Sequence, residues 1–253
     1  MQLENLKAIV TGAASGLGRH FALQLARAGA LVAAGDVDAA GLERLKVESM
    51  NLSGRIVTIK LDVSQESSIV SFVKEASNQF DGVNALVNNA GILRDGLLVK
   101  QEANWIKKLP TEQWKRVIDV NLTGPYLMAR EVVADILTRG IKGAIIANIS
   151  SVTRSGNPGQ SNYSASKAGL DAVTRTWALE LAGHEIRVGG IAPGLVDTPI
   201  LNNISEEARE SLIAKIPLMR IGTPHEIWLA LKFIIECDYF TGRVIEVDGG
   251  STF

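Results

Sequence analysis

The chain has 253 residues, 46% of them apolar, with 26 Lys and Arg against 27 Asp and Glu for a formal charge of -1. The apolar share supports a buried core and excludes a disordered chain, and the balanced charge with no Lys/Arg stripe excludes a nucleic-acid partner. No stretch reaches the roughly 18 apolar residues of a membrane span, so no membrane partner is expected.

The first apolar run covers Lys7 to Val10 and closes on Thr11-Gly12. Leu17, Phe21, Leu25 and Ala28 then recur at helical spacing until Gly29. Further short runs are Leu31 to Gly35, ended by Asp36, and Arg55 to Leu61, ended by Asp62. Ala85 to Val87 ends in Asn88-Asn89-Ala90-Gly91, and Ala144 to Ile149 ends in Ser150-Ser151. Arg187 to Ile191 ends in Ala192-Pro193-Gly194, and Val244 to Val247 closes the series. Short apolar strands alternating with helix-length stretches predict an α/β fold. The expected form is a doubly wound, parallel, Rossmann-type sheet of about seven strands in a single domain, residues 1–253. Ligands of such sheets bind outside the carboxyl ends of the strands, so these polar strand endings should line one shared site.

Thr11-Gly12-Ala13-Ala14-Ser15-Gly16-Leu17-Gly18 lies between the first strand and the first helix. Glycines there let the backbone approach a pyrophosphate, and the helix N-terminus offers free N–H groups and partial positive charge. The spacing departs from G-x-G-x-x-G. Asp36 ends the second strand about 20 residues on, where a carboxylate accepts hydrogen bonds from ribose hydroxyls and repels a 2′-phosphate. Ser15 and Val37 supply no base for such a phosphate, and Arg19 falls inside the helix. The pattern therefore favours NAD (NADH) as cofactor over NADP.

The lone cysteine, Cys237, permits no intrachain disulfide and reads as a small hydrophobe. The N-terminus lacks an apolar stretch after a basic start, so no signal peptide is expected and the default location is cytoplasmic. His20, His184 and His225 have no metal-ligand spacing, so no metal is expected. No Gly-x-Ser-x-Gly elbow points to a serine hydrolase.

These residues resemble the short-chain dehydrogenase/reductase family along nearly the whole chain. The likeness rests on Thr11-Gly12-(x)3-Gly16-x-Gly18, Asp62-Val63, Asn88-Asn89-Ala90-Gly91, Asn121, Ser151, Tyr163-Ser164-Ala165-Ser166-Lys167 and Pro193-Gly194, in this order. Within the family the chain is similar to 3-oxoacyl (carrier protein or CoA) reductases and to hydroxyacyl and hydroxysteroid dehydrogenases. The resemblance implies that Gly12, Ser15, Gly16, Leu17, Gly18 and Asp36 hold the dinucleotide, with Asp62 and Val63 at the adenine. It implies Asn89, Ala90 and Gly91 along the ribose, and Pro193, Gly194, Val196 and Thr198 at the nicotinamide. Residues 196–218 would form a substrate lid rich in apolar groups, among them Ile200, Leu201, Ile204, Leu212, Ile213, Ile216 and Leu218.

Tyr163 and Lys167 are four apart and share a helix face. A phenol has a reference pKa near ~10, and a lysine ammonium close by favours the phenolate. Tyr163 then exchanges a proton with the substrate oxygen, and Lys167 also reaches the nicotinamide ribose. Ser151 holds the substrate oxygen, although counting 13 back from Tyr163 gives Ser150, so the two serines remain alternatives. Asn121, in the helix after Asp119-Val120, would hold a water linking Lys167 to solvent.

The segment Leu98 to Leu109 is longer than the family pattern and is expected to add a wall to the substrate site, with Trp105 in it. The basic residues that dock carrier proteins are matched only by Arg139 and Lys142. The reading is an NAD(H)-dependent oxidoreductase interconverting a ketone and a secondary alcohol, on an apolar or 3-oxoacyl substrate. A secondary-alcohol or polyol dehydrogenase and a non-catalytic dinucleotide-binding regulator are the alternatives. A homotetramer is implied, pairing two long helices at about 111–139 and 158–182, with Phe253 near another interface.

Overall fold

The computed structural model describes residues 1–151, 156–199, 201 and 206–251. Ile200, Ile204 and Phe253, each named above, lie outside the described residues. Seven strands form one parallel sheet: β1 (Lys7–Thr11), β2 (Leu31–Asp36), β3 (Arg55–Lys60), β4 (Ala85–Asn88), β7 (Ala144–Ile149), β8 (Ile186–Pro193) and β9 (Val244–Val247). Their order across the sheet is β3-β2-β1-β4-β7-β8-β9. The chain winds outward from β1 in both directions, so the switch point lies between β1 and β4. There the crevice at the carboxyl ends opens.

Helices cover both faces, as a parallel sheet requires. On one side, α1 (Gly16–Arg27) and α8 (Pro224–Glu236) bury Phe21, Leu25, Ile227 and Leu231 against Ala8 and Val10 of β1. On the other, α3 (Glu66–Phe80) and α5 (Gly124–Arg139) bury Ile69, Phe72, Met128 and Val132 against Ile9. Successive β1 residues thus enter opposite cores, the period-two signature of a strand buried on both faces. The carboxylate of Asp38 caps α2 (Ala39–Glu48) by accepting from Gly41 N–H. Thr223 and Glu226 close a reciprocal capping box on α8.

Three expected segments take definite form. The stretch at 111–139 is not one regular helix: α4 (Thr111–Ile118) passes through a π-helical turn, Asp119–Thr123, into α5. The second long helix, α6, begins at Ser161 and runs to Leu181, because Gly159 at φ 87° keeps the preceding chain out of the helix. The 98–109 segment is an antiparallel hairpin of β5 (Val99–Gln101) and β6 (Ile106–Lys108), separate from the main sheet. Its strands are three residues each and wholly exposed, which leaves almost no apolar alternation to read. Among the described residues, no helix is long and apolar enough to cross a membrane, and no metal-ligand cluster occurs. His20 and His225 meet edge to face at 6.2 Å, packing α1 on α8. Cys237 caps the end of α8, partly buried.

Candidate active site

The site grows from the β1 and β4 endings. The Thr11 hydroxyl is fully buried and accepts from the backbone N–H groups of Asn89 and Ala90, each at 3.0 Å. The Asn89 amide donates back to the carbonyls of Thr11, at 2.9 Å, and Gly12. These bonds tie the glycine-rich turn to the strand across the switch point. Asn89 was expected along the ribose; sequence reading missed that it also braces the turn. Gly12 sits at φ 67°, and a side chain there would press on the Ala90 Cα at 2.8 Å. A side chain on Gly18 would collide with the Gly12 carbonyl oxygen. These two positions need glycine for conformation and for close approach, respectively.

The turn fits a dinucleotide phosphate. Ser15 is the N-cap of α1 but its hydroxyl makes no capping bond, and the first intrahelical bond runs from Arg19 N–H to the Ser15 carbonyl. The N–H groups of Gly16, Leu17 and Gly18 therefore remain as the orphan donors of a helix start. Thr198 stands across from Gly16, its Cγ2 3.8 Å from where a Gly16 side chain would begin, so the β8 ending and the glycine turn face each other. Gly194 donates to the Val247 carbonyl at 3.0 Å, and Val196 bridges to Gly222, fixing the chain after Pro193.

Asp36 is placed at the end of β2, partly exposed. One carboxylate oxygen accepts from Ala14 N–H at 2.9 Å and the other from Asp38 N–H at 3.0 Å. A carboxylate has about four acceptor sites, so capacity remains for ribose hydroxyls. Arg19 is ion-paired with Glu48 of α2. Asp62, after β3, accepts from the Ser64 backbone and hydroxyl at 2.9 and 2.7 Å, and Val63 is buried beside Gly124.

The proton-handling groups come from β7, α6 and the π turn. The Ser151 hydroxyl lies close enough to the Tyr163 phenol to pull its pKa down. Ser150 is buried and donates instead to the Lys167 carbonyl at 3.2 Å, so the two serines point to different tasks. The Lys167 ammonium is buried, donates to the Ile149 carbonyl at 2.8 Å and lies 5.7 Å from the Tyr163 ring centre. Burial brings Lys167 down to about 8. Burial also raises the Tyr163 phenol above its ordinary value, against the lowering pull of Ser151, while the Asp95 charge adds to the rise.

Asn121 is fully buried in the π turn. Its amide oxygen accepts from Ile92 N–H at 2.8 Å, and its nitrogen donates to the Ile92 carbonyl and the Ser166 hydroxyl. The side chain makes its hydrogen bonds to protein partners. Both Asn121 and Lys167 reach the edge of Gly91, at 3.5 and 3.6 Å from where its side chain would begin.

Sequence reading also missed the brace around Tyr163. Asn162 donates to the Arg94 carbonyl at 3.1 Å, Gln113 to the carbonyls of Arg94 and Asp95, and Gly96 N–H to the Gly159 carbonyl at 2.8 Å. A buried ladder, Asn88 to Asn148 at 3.0 Å and Asn148 to Thr174 at 2.9 Å, ties β4 and β7 to α6. Its signal was present: asparagines stand inside the otherwise apolar β4 and β7 runs. Arg139 and Lys142 lie before β7, at the amino edge of the sheet and away from the site, paired with Asp81, Asp135 and Glu185.

A family model described as enoyl-(acyl carrier protein) reductase matches residues 12–252. A 3-oxoacyl-(acyl-carrier-protein) reductase of Thermotoga maritima is 41% identical over 253 residues, covering 99% of both chains. The enzyme of the same name from Staphylococcus epidermidis is 36% identical over 249 residues, 97% of this chain and 98% of its own. A crystal structure of a short-chain type dehydrogenase/reductase from Mycobacterium marinum superposes with TM-score 0.89 at 29% identity, covering 99% of this chain and 97% of that one.

Proposed function

Because this chain belongs to the short-chain dehydrogenase/reductase family of nicotinamide-dependent oxidoreductases, we propose that it reduces the ketone of a 3-oxoacyl thioester, or a similar apolar ketone, with NADH. The observation that carries the reading is the approach of the Ser151 hydroxyl to the Tyr163 phenol, which brings two hydroxyls to one point beside a buried lysine. The bound dinucleotide would supply the hydride.

The protein groups have separable tasks. Ser151 holds the substrate oxygen and offsets charge developing on it. Tyr163 gives that oxygen its proton; a raised phenol is protonated at neutral pH and ready to donate. Lys167 orients Tyr163 and reaches the nicotinamide ribose. Asn121, its side chain already bonded, would hold through its backbone carbonyl a water that links Lys167 to solvent. Gly12, Ser15, Gly16, Leu17 and Gly18 hold the pyrophosphate. Asp62 and Val63 take the adenine, and Ala90 and Gly91 lie along the ribose. Pro193, Gly194, Val196 and Thr198 face the nicotinamide. The preference for NADH rests on the Asp36 carboxylate and on the engagement of Arg19 with Glu48.

Residues 196–218 act as the lid, whose apolar composition suits an acyl chain. The copies assemble as a homotetramer through α5 and α6, where Tyr126 and Leu179 are exposed, the latter at 84%. Light scattering reads that mass directly.

The test is the initial rate with acetoacetyl-CoA, using NADH and NADPH side by side. Turnover with NADH in preference to NADPH is expected. No turnover with either moves the substrate to free ketones or alcohols, and a preference for NADPH removes the role of Asp36.

A further inference from the structure

The β5–β6 hairpin has a surface that its own stability does not explain. Its register places Lys100 directly opposite Lys107. Like charges opposed across two strands are destabilising, and a free two-stranded ribbon is marginal to begin with. Glu102 compensates Lys100 at 2.8 Å, while Lys107 has no acidic partner among the described residues. Glu102 N–H donates to the Trp105 carbonyl at 2.9 Å, so the register carries Trp105 onto the same face as the two lysines. Trp105 is 58% exposed, where an indole is costly to leave in water. Lys108 projects beside Val99 on the opposite face.

The hairpin is also tied to the reacting centre. Its root follows Arg94, whose carbonyl accepts from Asn162, and Gly96, whose N–H donates to Gly159, at the start of the Tyr163 helix. From Leu98 to Glu102 the ribbon extends four residues, about 13 Å at strand rise. Residues 94–116 carry six Lys or Arg against three Asp or Glu, in a chain with net charge of -1. Arg139 and Lys142, the other candidates for a carrier contact, are ion-paired at the far edge of the sheet.

We propose that the Lys100, Lys107 and Trp105 face of the hairpin binds the nucleotide end of a coenzyme A thioester, the lysines taking its phosphates and the indole stacking on adenine. The inference rests on the acyl-thioester reading above and adds the carrier to it. An ammonium pair beside an exposed aromatic matches a phosphorylated nucleotide in charge and in shape. An acidic carrier protein is the competing occupant, and the face offered, one indole and two lysines with Glu102 paired to Lys100 between them, has the extent of a nucleotide rather than of a helix.

The experiment compares acetoacetyl-CoA, acetoacetyl carrier protein and acetoacetyl-N-acetylcysteamine, the last with the same ketone and thioester but no nucleotide, in the wild-type chain and in Lys107→Glu and Trp105→Ala. Both sites are exposed, where substitutions rarely unfold a protein. The expected result is a KM for the CoA thioester raised about tenfold, the size of one lost charge-assisted contact, with kcat and the KM of the truncated thioester unchanged. Equal KM values in all three proteins overturn the proposal. A KM rise confined to acetoacetyl carrier protein overturns the nucleotide assignment in favour of a protein partner. If no thioester is turned over, the reading of function fails separately. Calorimetric titration of 3′,5′-ADP, with NADH saturating the dinucleotide site, then decides the hairpin. Binding by wild type that Lys107→Glu loses supports it, and no binding by wild type overturns it.

Discussion

The Lys167 ammonium lies 5.7 Å from the centre of the Tyr163 ring but spends its hydrogen bond on the Ile149 carbonyl, 2.8 Å away. The lysine is therefore held by the end of β7, the strand that also delivers Ser151. Ser151 and Lys167 share one anchor, so a shift of β7 moves both together.

Stability should carry the mark of this buried lysine. Its folded pKa of about 8 is below the unfolded value, so between about pH 8 and 10 the unfolded chain binds more protons and stability rises with pH. Below that window the folded state carries the full cost of a buried charge. Lys167→Met removes the dependence. The wild-type chain should gain on the order of 2 kcal/mol relative to the variant between about pH 7 and pH 9.5 in urea unfolding. A constant difference would mean that Lys167 titrates normally.

The two serines should separate cleanly. Ser151→Ala should lower kcat by about 10²–10³-fold, as for a lost donor to developing negative charge. Ser150→Ala removes a hydrogen bond to the Lys167 carbonyl and should cost about 1 kcal/mol of stability with a far smaller effect on rate. The reverse pattern would exchange their roles. Spacing from Tyr163 left both serines open; the direction of each hydroxyl, a matter of side-chain geometry at a strand end, distinguishes them.

Asp36 has two tasks, and its variant tests both. Asp36→Ala should weaken NADH binding and relax discrimination against NADPH. It should also lower stability by about 1–3 kcal/mol, since the N–H groups of Ala14 and Asp38 lose their acceptor. Fluorescence titration with each dinucleotide reads the first effect and thermal melting the second. An unchanged cofactor ratio with lowered stability would leave Asp36 as a brace of the turn alone.

The direction of the Tyr163 shift gives the pH dependence. Ketone reduction uses the protonated phenol, which burial keeps protonated through neutral pH. Its rate should be flat around about pH 7 and fall only in alkali, whereas alcohol oxidation should climb with pH. A reductive rate that falls already through neutral pH would contradict a raised phenol.

The parallel strands and the glycine turn were legible because each rests on a local pattern: short apolar runs, then residues that only a strand-to-helix turn explains. Tyr163 and Lys167 were legible as one helix face. The Asn121 bonds were not, because a π turn shifts the side-chain direction without altering the apolar pattern. The β5–β6 hairpin was seen only as extra length, since strands of three exposed residues have no buried face to impose alternation. The brace from Asn162 and Gln113 to the 94–96 backbone was hidden for another reason: it consists of side chains bonded to distant carbonyls.

The most direct measurement is turnover of acetoacetyl-CoA by Tyr163→Phe beside its NADH affinity. Loss of at least about 10³-fold in kcat, with NADH binding within a factor of two or so of wild type, is the predicted result. Retained turnover would contradict the assignment of Tyr163 as the proton donor.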